Sequence, residues 1–283
     1  MMADLDPGRR APTAVLGAVV PRPAATVILI RPGEAGGFET FMVRRSARSY
    51  FAADAVVFPG GTVDDADCGP ESVARSPSLT VEEAHARLTN RGGEPPETAA
   101  LSFGLHVAAV RELFEEAGVL LATNRGGRLL ADRDPALTAR LAEDRGRVQR
   151  GEMTLAGIAE REGLNLACDR LVYFSHWVTP PTSPRRYDTR FFVAAMPPGQ
   201  EALHCQIETT EGEWLSPAEA LGRGTRGQIK LVQATVAHLD CLAHLRSVDE
   251  VLDFARRKPI QTVHPLFDAS AGAWVTNVPE DSW

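Results

Sequence analysis

Lysine is nearly absent from this chain: of its thirty basic residues only Lys230 and Lys258 are lysines, and 37 acidic residues leave a formal charge of −7. That balance excludes a protein that works chiefly by neutralising nucleic-acid phosphates, because no basic surplus is present to attract them. Cysteine is scarce as well. Cys68, Cys168, Cys205 and Cys241 lie far apart and form no CxxC pair and no Cys/His pair at zinc spacing, so free thiols in a reducing compartment are expected. Long apolar runs are missing too: the stretch from Val15 to Val20 is too short to span a bilayer and is closed by Pro21. With no secretory, membrane-spanning or lipidation signal along the chain, the expectation is a soluble, cytoplasmic protein with no membrane partner. What remains is an ordinary globular composition, 44% hydrophobic and 24% charged over 283 residues, enough for one large domain or two smaller ones.

Residues 24–30 (AATVILI) and 38–43 (FETFMV) read as strands parted by a Pro/Gly turn, and a third short strand from Ala55 to Phe58 runs into Pro59-Gly60-Gly61. From Asp64 to about Gly104 the composition shifts to Asp, Pro, Ser, Gly and Glu, with one helical pattern near 80–90, and this segment reads as an inserted excursion. Helices are expected over 134–150 and 154–162, strands over 171–178, 190–195 and 211–215, and a helix capped by Ser216 with Pro217 at its first position. Residues 226–257 carry helical periodicity. No internal repeat or low-complexity tract is present. The order of elements predicts an α/β sandwich with a mixed sheet and a helical tail.

The chemistry concentrates in residues 108–119, AAVRELFEEAGV. Spacings of i, i+3 and i+4 bring the carboxylates of Glu112, Glu115 and Glu116 onto one helical face. Val110, Leu113, Phe114 and Ala117 form the apolar face, and Gly118 supplies a stop. Three acids crowded at one helix end are either a solvated face or a site for a cation between them. A hard divalent ion such as Mg2+ suits carboxylate oxygens.

Phe58-Pro59-Gly60-Gly61 followed by Arg111-Glu-Leu-Phe-Glu-Glu-Ala-Gly-Val119 resembles the Nudix box, the signature of hydrolases that cleave nucleoside diphosphates linked to another moiety. The family pattern is Gly, five residues, Glu, seven residues, then Arg-Glu-aliphatic-x-Glu-Glu-x-Gly-aliphatic, and its second half is matched without exception. In the first half Asp67 stands where the family has Glu, and 43 residues, 68 to 110, replace the seven between the halves. The resemblance implies a Nudix-type α/β/α sandwich over residues 11–222 with an insertion at about 68–104, and a C-terminal helical extension over 223–283. It also implies that Glu112, Glu115 and Glu116, with the backbone carbonyl of Gly60, ligate Mg2+ or Mn2+, and that Arg111 ties loop to helix through Asp67, Asp64 or Asp65. The general base is Glu112 itself or a later acid, Glu208, Glu211 or Glu213.

Residues 41–61, FMVRRSARSYFAADAVVFPGG, resemble the motif that precedes the box in coenzyme A diphosphatases. Arg45 and Ser46 match it, while Tyr50 replaces an Arg and Asp54 replaces a Gly. The long insertion inside the box resembles the mammalian peroxisomal branch of those enzymes. The implied substrate is a small-molecule nucleotide diphosphate, coenzyme A or acyl-coenzyme A first, with ADP-ribose or NADH as the alternative; a nucleotide sensor that has lost its metal ligands fits less well, because all three box glutamates are present. Arg45 and Ser46 are expected at the substrate or at a plain strand end. Arg185, Arg186 and Arg190 either hold phosphate by paired hydrogen bonds or pair with Asp188 in their own loop. His106 lies near the box but is expected in the core. The insertion covers the site, shapes the pantetheine end or mediates a homodimer, and the C-terminal helices are open to the last role as well.

Overall fold

A computed structural model of the chain describes residues 19–34, 36–46, 52–130, 135–205, 209–268, 270 and 273–278. It begins with β1 (Arg22–Pro32), β2 (Phe38–Arg45), β3 (Ala55–Val57) and β4 (Gly60–Thr62), then α1 (Pro70–Ala74), α2 (Val81–Thr89) and α3 (Ala99–Ala117). Next come β5 (Ala122–Thr123), α4 (Pro135–Gln149), α5 (Leu155–Glu162), β6 (Asn165–Leu166), β7 (Val172–Val178), β8 (Tyr187–Ala195), β9 (Thr209–Leu215) and α6 (Pro217–Thr225). The last part supplies β10 (Lys230–Leu231), α7 (Gln233–Ala243), α8 (Val248–Arg257), β11 (Thr262–Val263), β12 (Leu266–Asp268) and β13 (Ala273–Val275).

β1 reads as an unbroken apolar run because both of its faces are buried. It sits centrally in a mixed sheet ordered β10-β3-β2-β1-β8-β7-β11, parallel to β8 and antiparallel to β2. Its other edge is shared: β2 pairs with Ile30–Pro32, and β4 pairs with Ala24–Thr26, so the glycines of β4 lie against the first half of the strand. Alternation then divides the core. Ala25, Val27 and Leu29 face a layer that contains α3, α2 and α5, whereas Ile28 and Ile30 face α7 and α8 through Leu239, Leu242, Val251 and Ala255. The expected α/β/α sandwich with a mixed sheet is what the chain forms. No described helix is long and apolar enough to cross a membrane.

Two expected boundaries move. The acidic helix starts at Ala99, capped by the Thr98 hydroxyl on the Leu101 N–H, so the excursion ends before residue 104 and Gly104 is helical. The reason is packing: a Cβ on Gly104 would stand 2.2 Å from Cys68 Sγ, so glycine here lets the 3-10 turn Asp65–Cys68 lie directly on α3. The C-terminal segment carries the helices α7 and α8, and strands besides. β10 joins one edge of the sheet through β3, β11 joins the other through β7, and α7 and α8 are the layer that closes the second core.

The rest of the insertion is wired to that C-terminal segment. Leu88 on α2 is buried in the α3 core. Arg91 donates to the carbonyls of Tyr173, Ala255 and Lys258, and the Glu94 N–H donates to Thr262 Oγ1 at 2.6 Å.

Two measurements test this packing. Gly104→Val should cost about 1–3 kcal/mol in urea unfolding, and a Cys68→Ala background should recover part of the loss. Two of the buried histidines bear on the acid limb of stability. Burial lowers His106 from 6.5 to about 4 and His238 to about 3, so both stay neutral in the fold. Their contribution is complete above pH 6.5 and is lost as the pH falls from there through those lower values, because only the unfolded chain takes the protons. Unfolding midpoints measured from pH 7.5 to 4 should decline over that window, and less steeply in His106→Gln.

Candidate active site

The centre of the site is one guanidinium. Arg111 on α3 donates from Nε to Asp67 Oδ1 at 3.0 Å and from Nη2 to Asp67 Oδ2 at 2.9 Å, a paired contact that locks the turn before α1 onto the helix. Nη1 donates to Glu112 Oε1 at 2.8 Å and Glu115 Oε1 at 2.9 Å, and Nη2 also reaches the Thr62 carbonyl at 2.7 Å. The sequence left Asp67, Asp64 and Asp65 open as the partner of Arg111, and the structure selects Asp67, with Asp64 3.7 Å away as a looser companion.

Arg111, Glu112, Glu116 and Asp67 are all buried, and Glu115 is half-buried. Burial opposes the charge on Arg111, but Glu112, Asp67 and Glu115 outweigh it, so the guanidinium stays protonated well above its ordinary range. Burial pushes the Glu112 carboxyl well up; Arg111 pulls it down, and the neighbouring Glu116 and Glu115 push it up again. Asp67 is raised by burial against the pull of Arg111. One guanidinium therefore serves more carboxylates than it can neutralise.

The glycines of the loop complete the arrangement. The Gly60 N–H donates to Glu116 Oε2 at 3.0 Å. A Cβ on Gly61 would lie 2.3 Å from Glu112 Oε1, and one on Gly60 would lie 2.6 Å from the Ala25 carbonyl, so neither position admits a side chain without moving the box or β1.

By donor chemistry these residues fit a hard divalent ion: they offer carboxylate oxygens, and the one guanidinium beside Glu112 is shared with Asp67 and Glu115. Among the described residues no three Asp, Glu, His or Cys side chains converge on one point, since Arg111 stands between Glu112 and Glu115 and Glu116 is held by Gly60.

Beside this cluster opens a cavity of about 850 Å³. Glu112, Gly60, Gly61 and Thr62 line it with Arg22 and Arg45, and its floor runs across Ala24 and Thr26 to Trp177, Thr189 and Phe191. Residues 231–236 and Pro265 close it from the C-terminal side. Arg45 Nε is buried with no hydrogen-bond partner among the described residues, an orphaned donor at a cavity wall.

The remaining expected residues divide. Glu115 and Glu116 stand behind Glu112 and do not line the cavity. Ser46 is half-buried and outside the lining. Arg190, expected either at phosphate or paired with Asp188, takes the second place: it is 1% exposed, on the α3 side of β8, held by the Glu94 carbonyl and Asp188. Arg186 is turned onto the carbonyls of Thr179 and Val19, and Arg185 is exposed outside the lining. Glu211 was a candidate base, yet the β2–β9 register sets it opposite Arg44, to which it is paired at 2.9 Å. Glu213 pairs with Arg223. Glu208 and Tyr50 lie outside the described residues. Asp54, where the related motif has Gly, keeps the left-handed backbone that glycine favours, with φ of 60°. His106 is a core residue, its Nδ1 2.8 Å from the Ser102 carbonyl and its ring against Phe192.

Sequence reasoning missed Arg22 and residues 231–236. Arg22 stands at the first residue of β1 outside any motif, and 231–236 reach the cavity only through the parallel β3–β10 pairing.

Comparison with known proteins gives one consistent answer. The family model of the NUDT19 Nudix domain matches residues 8–242. The chain is 27% identical to the human acyl-coenzyme A diphosphatase NUDT19 over 313 residues, covering 99% of this chain and 82% of that protein. It is 29% identical to the chicken protein of the same name, covering 86% of this chain and 72% of that one. A crystal structure of a Nudix hydrolase from Alicyclobacillus acidocaldarius is similar with a TM-score of 0.62 at 27% identity, over 83% of this chain and 96% of that one.

The Arg111 cluster makes a sharp prediction for stability. Arg111→Met leaves Asp67 and Glu112 buried without their cation and should destabilise the fold by about 3–5 kcal/mol in chemical unfolding. The Arg111→Met, Asp67→Asn double variant should lose clearly less than the sum of the two single losses.

Proposed function

The chain belongs to the Nudix hydrolases, in the group defined by the NUDT19 Nudix domain, and from that membership we propose that it is a diphosphatase of coenzyme A and acyl-coenzyme A. Hydrolysis of the phosphoric anhydride releases 3′,5′-ADP and a phosphopantetheine. The observation that supports this reading is that Glu112, from the box, and Arg45, from the motif that precedes it, line one cavity.

Nudix hydrolases generally use divalent metal ions. Here we assign Mg2+ or Mn2+ to the carboxylates of Glu112, Glu115 and Glu116 and the Gly60 carbonyl. Such an ion, when bound, neutralises the diphosphate and makes a water acidic enough to attack phosphorus at neutral pH. The protein's own residues supply the rest. Arg111 orients Glu112 and Glu115 from one side, and the Gly60 N–H orients Glu116 from the other. Gly61 leaves the Glu112 carboxylate open to the cavity. Glu112 is therefore the general base we assign, since among the three box glutamates it alone lines the cavity. Arg45, which lines the same cavity, is the residue we assign to a diphosphate oxygen.

Incubation with Mg2+ or Mn2+ and a panel of coenzyme A, acetyl- and longer acyl-coenzyme A, ADP-ribose and NADH, with nucleotide products separated by chromatography, tests the reading. We expect 3′,5′-ADP from the coenzyme A compounds. Glu115→Gln and Glu116→Gln should lower kcat by about 100-fold or more, and Arg45→Ala should raise KM about tenfold. Efficient cleavage of ADP-ribose with coenzyme A untouched overturns the substrate assignment, and full turnover in both glutamine variants overturns the metal assignment.

A further inference from the structure

The roof of the cavity carries a feature that diphosphate cleavage does not use. β10 pairs in parallel with β3, Leu231 beside Val56, so the chain enters α7 next to Val57 and Phe58 at the mouth of the glycine loop. Residues 231–236 all line the cavity, which places the amino-terminal turn of α7 on it.

That turn is unfinished. α7 has eleven residues, its N-cap is Val232, whose side chain has no oxygen to offer, and no acid stands in its first turn. By contrast α2, α3, α5, α6 and α8 are each closed by a Thr or Ser hydroxyl. The first N–H of α7 to find a carbonyl of its own helix end is that of Val236, on Val232. Those of Gln233, Ala234 and Thr235 precede it, where a helix has donors and no internal acceptors.

An independent observation comes from Thr235. It is 3% exposed and lines the cavity. Its hydroxyl makes no hydrogen bond among the described residues, yet it is not among the fully enclosed orphan atoms, so the surface it keeps is cavity surface. A hydroxyl and three backbone donors at the positive end of a helix form an anion receptor.

This receptor and the cleavage centre lie in different layers. Glu112 belongs to α3, which packs on the first core, while α7 packs on the second through Leu239 and Leu242. The cavity joins them past Gly60 and Gly61. A ligand that fills both must carry two separate phosphate groups, one of them the diphosphate.

Building on the coenzyme A reading, we propose that the amino-terminal turn of α7, with the Thr235 hydroxyl, is a second phosphate-binding subsite and that it receives the ribose 3′-phosphate. A phosphate monoester carries close to two charges at neutral pH, more than a single diphosphate oxygen presents, which favours it at a helix terminus. ADP-ribose and NADH have no such group. The subsite thereby gives the enzyme its preference for 3′-phosphorylated nucleotides.

The experiment compares kcat/KM for coenzyme A and 3′-dephospho-coenzyme A in the intact protein and three variants. Thr235→Val removes the hydroxyl at nearly constant volume. Gln233→Pro removes one N–H at a helix position that accepts proline. Thr235→Ser restores the hydroxyl. We expect the unaltered protein to prefer coenzyme A by about tenfold or more. That ratio should collapse toward one in Thr235→Val and Gln233→Pro and persist in Thr235→Ser. No preference in the unaltered protein, or a ratio unchanged in both disruptive variants, overturns the proposal. If neither nucleotide is cleaved, the diphosphatase reading fails, and calorimetric binding of 3′,5′-ADP against 5′-AMP decides the subsite alone. Tighter binding of 3′,5′-ADP that is lost in Thr235→Val sustains it, and equal binding of the two nucleotides overturns it.

Discussion

The site depends on a single buried ionic junction, the Arg111 guanidinium shared among Asp67, Glu112, Glu115 and the Thr62 carbonyl. It joins the strand after the glycine loop and the turn before α1, which are neighbours in sequence, to an acidic helix whose arginine lies 44 positions beyond Asp67. Planar and always charged, the guanidinium meets the paired oxygens of Asp67 on one edge and two helix carboxylates on the other, which an ammonium on a flexible stem cannot do. Because the junction is buried, burial and the neighbouring Glu116 and Glu115 work against the charge on Glu112, and Arg111 works for it.

The 43 residues that separate the two halves of the box do not form a lid. Among the described residues none between Asp64 and Val110 lines the cavity. Instead the insertion adds two turns and more to the front of α3, lays a 3-10 turn on Gly104 and uses Arg91 and Glu94 to hold the end of α8 and β11. It stiffens the helix that carries the acids and anchors the layer that roofs the cavity. The box tolerates such length because Asp67 stays on the glycine side of the insertion, and the extra chain packs Leu79, Ala84 and Leu88 into the core beneath α3.

Much of this was legible in the chain. The alternation and apolar runs of β1, β2, β7 and β8, the caps at Thr154 and Ser216 and the spacing of Glu112, Glu115 and Glu116 are local signals, each set by neighbours within a few residues. The start of α3 was not, because Gly104 looks like a breaker until Cys68 is seen to occupy the space a side chain would fill. Nor were the partners of the arginines. Arg185, Arg186 and Arg190 read alike in one loop, yet Arg190 lies within β8 and is buried on its α3 side, whereas Arg186 precedes the strand and donates to backbone carbonyls. Glu211 is set against Arg44 by the β2–β9 register, a pairing of residues 167 positions apart.

By itself the sequence determined the chemistry: oxygen donors at helical spacing, an arginine next to them, and two glycines that permit a loop to pass against a carboxylate. Those are short-range consequences of residue type and helical period. The tertiary structure decided which of those groups meet and what lies across from them. It chose Asp67 over its neighbours for Arg111, brought Arg22 and Arg45 to one wall, and through a two-residue parallel pairing of β3 with β10 set the open end of α7 over the cavity. Such contacts arise from sheet order and layer packing between residues tens of positions apart, and for β3 and β10 well over a hundred, and no local pattern encodes them.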